Sequence, residues 1–228
     1  MGAKEPTLWE VVSQTLARPL LLVVSAPSGG GKTTLCTRLR AEFPGIAYSV
    51  SCTTRAPRGA EQQDVHYHFL SPDEFESRSR SGAFLEQALV HGNRYGTLRS
   101  EVVTALSSGR DILMDIDVQG AAQIRTAVQV APAGDLLRRA FVDVFILPPS
   151  EAVLQQRLTG RGEDAPETIA RRLQNARREM ETWRDYRYVI VNDDLDQAYG
   201  QLRSLVLTEH IKVLSDNGVA RGLPCAER

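Results

Sequence analysis

Apolar residues fall along this chain in short unbroken runs, separated by stretches of mixed polarity. Leu20–Val24 is apolar throughout, and Asp111–Ile116, Phe141–Leu147 and Tyr188–Val191 are nearly so. Runs this short, apolar on both faces, predict buried strands of a parallel sheet. The segments after them carry helical spacing: after Lys32, from Ser100 to Gly109, Val118 to about Val128, beyond Pro149 to about Leu158, Glu167 to about Arg184 and Leu195 to about Leu214. Strand and helix alternating in this way predict an α/β fold with right-handed crossovers, and such sheets bind ligands beyond the carboxyl ends of their strands.

The middle of the chain reads differently. Ile46–Ser51 alternates like a strand, and residues 52–65, rich in Thr, Arg, Pro, Gly and Gln, show no period and predict a loop. His66–Leu70 alternates again. Ser71-Pro-Asp-Glu74 is a helix start, with a capping serine, proline at the first helical position and acids in the first turn, and the helix should run to about Arg80. Phe84–His91 predicts a strand, and Gly92-Asn-Arg-Tyr-Gly96 has turn chemistry. A small subdomain inserted over about 52–98 follows. Leu8, Trp9, Val11, Val12 and Leu16 suggest a short docking helix in an N-terminal extension.

One junction between strand and helix carries chemistry. Ser25-Ala-Pro-Ser-Gly-Gly-Gly-Lys-Thr-Thr34 ends the first apolar run and opens a helix, the context that a phosphate-binding loop requires. Gly29, Gly30 and Gly31 permit backbone angles other residues avoid, so the N–H groups of the loop can turn inward on an anion. The positive end of the helix dipole adds to them. Lys32 supplies a cation for the outer phosphates, and the Thr33 hydroxyl suits Mg²⁺. Ala26 stands where the generic motif has its first glycine.

Composition narrows the partners. The 228 residues carry a formal charge of −1, which gives no field for nucleic acid. No apolar run approaches the roughly 20 residues that cross a bilayer, and the first residues have no apolar signal core. A cytoplasmic location is expected, and Cys36, Cys52 and Cys225 form neither a metal spacing nor a disulfide framework. Lysine occurs only at positions 4, 32 and 212, which sets the lysine of the glycine loop apart.

Four further groups are candidates. Arg55 and Arg58, three residues apart beside hydroxyls, read either as a guanidinium clamp for a second phosphate or as a solvated basic loop. Glu86, between apolar neighbours, either faces solvent or turns to a cleft, where a carboxylate accepts from the ring N–H and amine of guanine. Adenine has no such pair of donors. Asp115 and Asp117 alternate at a strand end; one suits metal-bound water, the other the cleft, and Asp117 also suits a helix cap. Arg157, Arg161 and Arg172 flank a break containing glycine, placed either to close over phosphate or to pair on an exposed helix.

Together these stretches resemble the guanylate kinase family. The resemblance rests on Val24–Thr33, Val50–Arg58, Phe84–Glu86, Gly92–Thr97, Asp115–Gly120, Phe145–Ser150, Arg157–Gly162 and Val189–Asp194, in the family's order, over about residues 20–214. Ala26 is a common variant there. The resemblance implies a P-loop NTPase core (19–51, 99–150, 186–216), a GMP-binding subdomain (52–98) and a helical lid (151–185), with an extension at 1–18 and a tail at 217–228. It implies transfer of the ATP γ-phosphoryl group to GMP, and to dGMP, with Mg²⁺ held by Thr33 and, through water, by Asp115. ATP would lie on Ala26, Pro27, Ser28, Gly29, Gly30, Gly31, Lys32, Thr33 and Thr34, with Asn192 near adenine. Positions matching Ser51, Glu86, Thr97 and Asp117 read guanine, and those matching Arg55, Arg58, Tyr67 and Tyr95 hold the GMP phosphate. Lys32, Arg157, Arg161 and Arg172 serve the transferring group. Neither nucleic acid nor membrane is an expected partner, and monomer and homo-oligomer both stay open.

Two departures stand out. The family usually runs Pro-Arg-x-Gly-Glu-x-x-Gly before its tyrosine, and here Ala60 and Asp64 replace both glycines. A positive φ at Ala60 would cost about 1 kcal/mol, while aspartate tolerates it better and Gly59 offers a turn shifted by one residue. Weaker GMP binding is therefore expected, with Asp64 adding charge near a phosphate. The second departure is Val130–Arg139, longer than usual, which reads as a surface loop or an oligomer contact. Two rivals remain: a binding module of the same fold without activity, and a kinase for a phosphate ester that lacks guanine.

Overall fold

The computed structural model describes residues 18–90, 92–160 and 166–212. The predicted helix around Leu8–Leu16, Arg161 and the tail lie outside them. In chain order the elements are β1 (Leu21–Ser25), α1 (Lys32–Glu42), β2 (Ala47–Tyr48), β3 (Cys52–Thr53), β4 (His68–Phe69), α2 (Pro72–Arg80), β5 (Phe84–Val90), β6 (Asn93–Leu98) and α3 (Arg99–Ser107). Then come β7 (Ile112–Asp115), α4 (Val118–Val130), α5 (Leu136–Ala140), β8 (Phe141–Leu147), α6 (Glu151–Thr159), α7 (Pro166–Glu181), a 3-10 turn, β9 (Tyr188–Val191) and α8 (Leu195–Ile211).

The long apolar runs form one parallel sheet, in the order β2-β7-β1-β8-β9. Both faces of its central strand are covered, which is why the run shows no alternation. Leu22 and Val24 face a core shared with α1 and α8, through Leu35, Leu39, Leu202 and Val206. Leu21 and Val23 face the other core, with Val102 and Leu106 of α3, Ile124 of α4 and Leu137 of α5. The glycine loop and Asp115 thereby come to the carboxyl end of neighbouring strands, since Val24 pairs with Asp115.

A second sheet, β4-β3-β6-β5, is mixed and stands beside this end. It corrects two expectations. Residues 52–65 begin with a strand, since Cys52 and Thr53 pair with both β4 and β6. The turn expected at Gly92–Gly96 is mostly β6. Its glycine serves contact: a Cβ on Gly96 would come within 3.0–3.2 Å of Phe84, Phe75 and the Glu86 carbonyl. Phe75 and Phe84 stack there at 4.5 Å. The helix at Pro72 has its full capping box, with Ser71 and Glu74 exchanging bonds. The strands expected over 46–51 and 66–70 shorten to two residues each.

The Val130–Arg139 stretch is part turn and part helix. Asp135 caps α5 through the Leu137 and Arg138 N–H groups, and Leu137 is buried in the core. At the amino end of the sheet, Arg18 (6 % exposed) and Glu209 (2 %) form a buried ion pair at 2.7 Å. Arg18 also donates to the Arg139 carbonyl, and Tyr188 and Lys212 donate to Glu209. Burial alone would raise the Glu209 pKa, but those hydrogen bonds outweigh it and the net shift is downward. Glu209→Ala, which strands a buried guanidinium, is expected to cost about 3–5 kcal/mol in urea unfolding at neutral pH. Because the folded pKa is depressed, the pair stabilises above the unfolded value. The gap between wild type and variant should therefore close as pH falls below about 4.

Candidate active site

The loop between β1 and α1 is held from three sides. Gly30 N–H donates to the Pro27 carbonyl at 2.8 Å, closing the turn. Gly31, at φ +93°, stands at the N-cap of α1 and offers no side-chain cap, so the first N–H groups of that helix are left for another acceptor. A Cβ on Gly31 would lie 2.1 Å from Asn192 Nδ2. That amide, buried behind the loop, donates to the Gly30 carbonyl at 2.9 Å. The Asn192 carbonyl in turn accepts from Arg157 at 2.9 Å. Asn192, expected near adenine, thus braces the loop and anchors Arg157.

Lys32 points from α1 across to β7. Its ammonium lies 2.6 Å from Asp115 and 2.7 Å from the Ile116 carbonyl. Burial works against this charge, yet Asp115, by attraction and hydrogen bond, raises the Lys32 pKa overall. The side chains of Thr33 and Thr34 are exposed at the first turn of α1. Above the loop, α6 and α7 pack through Leu154, Leu158 and Ala176. From α7, Arg172 donates to Ser28 Oγ at 2.8 Å, and Glu179 accepts from the Ser28 backbone.

Beside Asp115 opens a cavity of about 260 Å³. Ser51, Tyr67, Glu86, Tyr95 and Asp117 line it, so the structure gathers most of the predicted guanine and phosphate residues. Glu86 is 4 % exposed and accepts from Thr97 Oγ1 at 2.7 Å. Burial pushes its pKa up to about 7, with Asp117 adding repulsion and Thr97 opposing. A β-bulge aims this residue. Phe84 pairs with Leu98 and Glu86 with Thr97, leaving Leu85 as the extra residue that enters the main core. Asp117 both lines the cavity and caps α4, accepting from Gly120 N–H at 2.9 Å.

At the cavity's outer end lies Arg55. It donates to Tyr95 Oη at 3.2 Å and stands over the Tyr67 ring at 5.2 Å, and its Nη2 donates to both Glu61 oxygens at 2.9 Å. The Glu61 hydrogen bond, first, raises its pKa above the ordinary arginine value. Arg58 also meets Glu61, through its backbone N–H at 2.8 Å. Its side chain is exposed.

The glycine loop and the cavity meet at Asp115, which pairs with Lys32 and lines the cavity. Similar sequences and structures are known. A family model described as guanylate kinase matches residues 18–209. The chain belongs to the guanylate kinase family. It is 48 % identical over 195 residues to the guanylate kinase of Rhizobium meliloti (strain 1021), covering 86 % of this chain and 85 % of that one. To that of Anaeromyxobacter dehalogenans (strain 2CP-C) it is 50 % identical over 194 residues, covering 85 % and 82 %. A crystal structure of guanylate kinase from Anaplasma phagocytophilum superposes with a TM-score of 0.71 at 29 % identity, covering 90 % of this chain and 93 % of that one. The chain is accordingly an enzyme, an ATP:GMP phosphotransferase.

Three residues of this guanylate kinase fold are missed by reading the sequence alone. Glu61 has a signal, standing three residues after Arg58 in the loop. Gly120 has one too, in the stretch Asp115–Gly120, but only the structure explains it: a Cβ there would lie 2.3 Å from Glu86 Oε2. Glu179 has none, because its place depends on how α7 folds back over the loop. Gly120→Ala is expected to displace the Glu86 carboxylate and lower kcat/KM for GMP on the order of 100-fold, with the KM for ATP unchanged. Steady-state kinetics with each nucleotide varied in turn checks this.

Proposed function

We propose that ATP lies on the glycine loop while GMP fills the cavity against the second sheet, and that the GMP phosphate oxygen attacks the γ-phosphorus in line. The observation that carries this reading is Glu86: a buried carboxylate, aimed by a bulge into a cavity lined also by Asp115, the partner of Lys32. Ionised, it accepts from the two neighbouring N–H donors of guanine, with Ser51, Thr97 and Asp117 completing the base site. Arg55, Arg58, Tyr67 and Tyr95 hold the monophosphate. Acceptance of dGMP follows, since the groups read are base and phosphate.

Residues 52–98 act as the GMP-binding part and 151–185 as a lid, on a core formed by the remaining described residues. Lys32 meets the outer phosphates of ATP, with Arg157, Arg161 and Arg172 brought over the transferring group. The step needs positioning and charge neutralisation, with no nucleophile from a side chain. Thr33 and Asp115 fit Mg²⁺ by their chemistry: an exposed hydroxyl on the first turn of α1, and an acid at the end of the strand paired with β1. When bound, the ion would neutralise phosphate charge and orient the oxygens. Among the described residues no helix is long and apolar enough to cross a membrane. The buried thiols of Cys36 and Cys52 fit a reducing, cytoplasmic setting.

ADP release from MgATP with GMP, dGMP, AMP or UMP tests the reading. Guanine acceptors should turn over well and AMP and UMP poorly. Lys32→Ala should lower kcat on the order of 1,000-fold, and Glu86→Gln should erase most of the preference for guanine. Turnover indifferent to the base would refute the assignment.

A second consequence concerns pH. The free enzyme holds a proton on Glu86 below about pH 7, whereas guanine binds the carboxylate. GMP affinity should weaken as pH drops through that value, by up to about tenfold per unit. The GMP phosphate also titrates near 6, so the difference between wild type and Glu86→Gln in calorimetry isolates the carboxyl. Equal proton release in both proteins would count against it.

A further inference from the structure

β4 carries a histidine between two acids. His68 Nδ1 lies 2.6 Å from Asp64 Oδ1, and Nε2 lies 2.9 Å from Glu101 Oε1. Asp64 belongs to the loop ahead of Tyr67, and Glu101 to the first turn of α3. A neutral imidazole has one donor and one acceptor, so only the imidazolium donates to both carboxylates. Asp64 is also unusual in its backbone. It is the one non-glycine residue with positive φ among the described residues, at +62°. That conformation closes the turn: Asp64 N–H donates to the Tyr67 carbonyl at 2.9 Å. Gln63 reinforces it, donating to Asp64 Oδ1 at 2.9 Å and accepting from Phe69 N–H at 2.8 Å. The turn therefore sets Tyr67, whose ring lies edge-on to Tyr95 at 6.0 Å and under the Arg55 guanidinium.

We propose that Asp64, His68 and Glu101 form a positioning unit that fastens the turn before Tyr67 to α3, and so sets the affinity for the GMP phosphate. This rests on the assignment of Tyr67 and Arg55 to that phosphate. The three residues act through the turn, without touching the nucleotide themselves. The ring also faces the Asp64 charge, which would otherwise stand near an anionic substrate.

The test is the KM for GMP and kcat at saturating MgATP, at about pH 7. His68→Phe should raise the KM about tenfold near pH 7 with kcat changed less than about twofold, the pattern of lost ground-state positioning. Adding Asp64→Gly should return the KM to within about twofold of wild type, because glycine takes a positive φ unaided. An unchanged KM in His68→Phe, or a raised KM that Asp64→Gly does not rescue, overturns the proposal. Should His68→Phe unfold, Glu101→Gln takes its place, with a several-fold rise in KM expected and no rise fatal. Arg55→Ala in the same assay separates the two layers. A raised KM there beside an unaltered His68→Phe defeats the positioning unit alone, and no change in either defeats the site assignment beneath it.

Discussion

Lys32 must keep its charge in a place where burial disfavours charge. Asp115, 2.6 Å away, is what lets it do so. The pair spans α1 and β7, so it also ties the glycine loop to the neighbouring strand. The same solution recurs around the cleft. Arg55 donates to Glu61, Arg172 sits on the Ser28 hydroxyl and Arg157 on the Asn192 carbonyl. Each cation is thereby kept in a defined position by a partner within the protein. A site built to gather phosphates would otherwise repel itself when empty, and long cationic side chains would have to be ordered on binding. Preorganised donors spare that cost at the moment of reaction.

Glu86 poses the opposite problem, since among the described residues it has no ion-pair partner and the attraction of Lys32 does not offset its burial. Its carboxylate meets a hydroxyl, a glycine and a neighbouring acid, and its pKa rises. Geometry makes this possible at two points. The bulge lets consecutive residues of β5 serve different surroundings: Phe84 the small core, Leu85 the main core and Glu86 the cavity. Gly120 clears the space on the other side. A regular strand would have put Leu85 opposite Thr97, and any side chain at 120 would have filled the place of the carboxylate.

The parts legible in the sequence are those whose cause is local. Three core strands, β1, β7 and β8, show as apolar runs because both faces are buried. The run of β9 predicts the same, but this strand lies at the sheet edge, and Val189 and Val191 are exposed on its outer face. The helix α2 shows through Ser71, Pro72 and Glu74, which cap it by contacts within one turn. The second sheet is harder. β3 and β4 are two residues each, too short for a period, and exist because β6 pairs with β3 from about 40 residues away. Gly96 looks like a turn glycine, although two phenylalanines distant in sequence demand it. For the cleft, residue types and family resemblance single out Lys32, Arg55 and Glu86. Which partner each holds is not legible at that level: Asp115 and Thr97 are brought to Lys32 and Glu86 by tertiary packing, and Glu61 reaches Arg55 through the fold of their shared loop.

The loop from Pro57 to Tyr67 shows how a departure from a pattern can be absorbed. Ala60 replaces a glycine, but the left-handed conformation falls on Gly59, at φ +51°, and Ala60 is spared. Asp64 replaces another glycine and does adopt positive φ, as aspartate can with local hydrogen bonds. Its carboxylate is turned to His68, so the charge expected beside the phosphate has a partner of its own. One substitution is met by moving the turn and the other by adding contacts. The second solution works only while the ring stays between its two acids, which makes a surface loop answerable to a helix of the core.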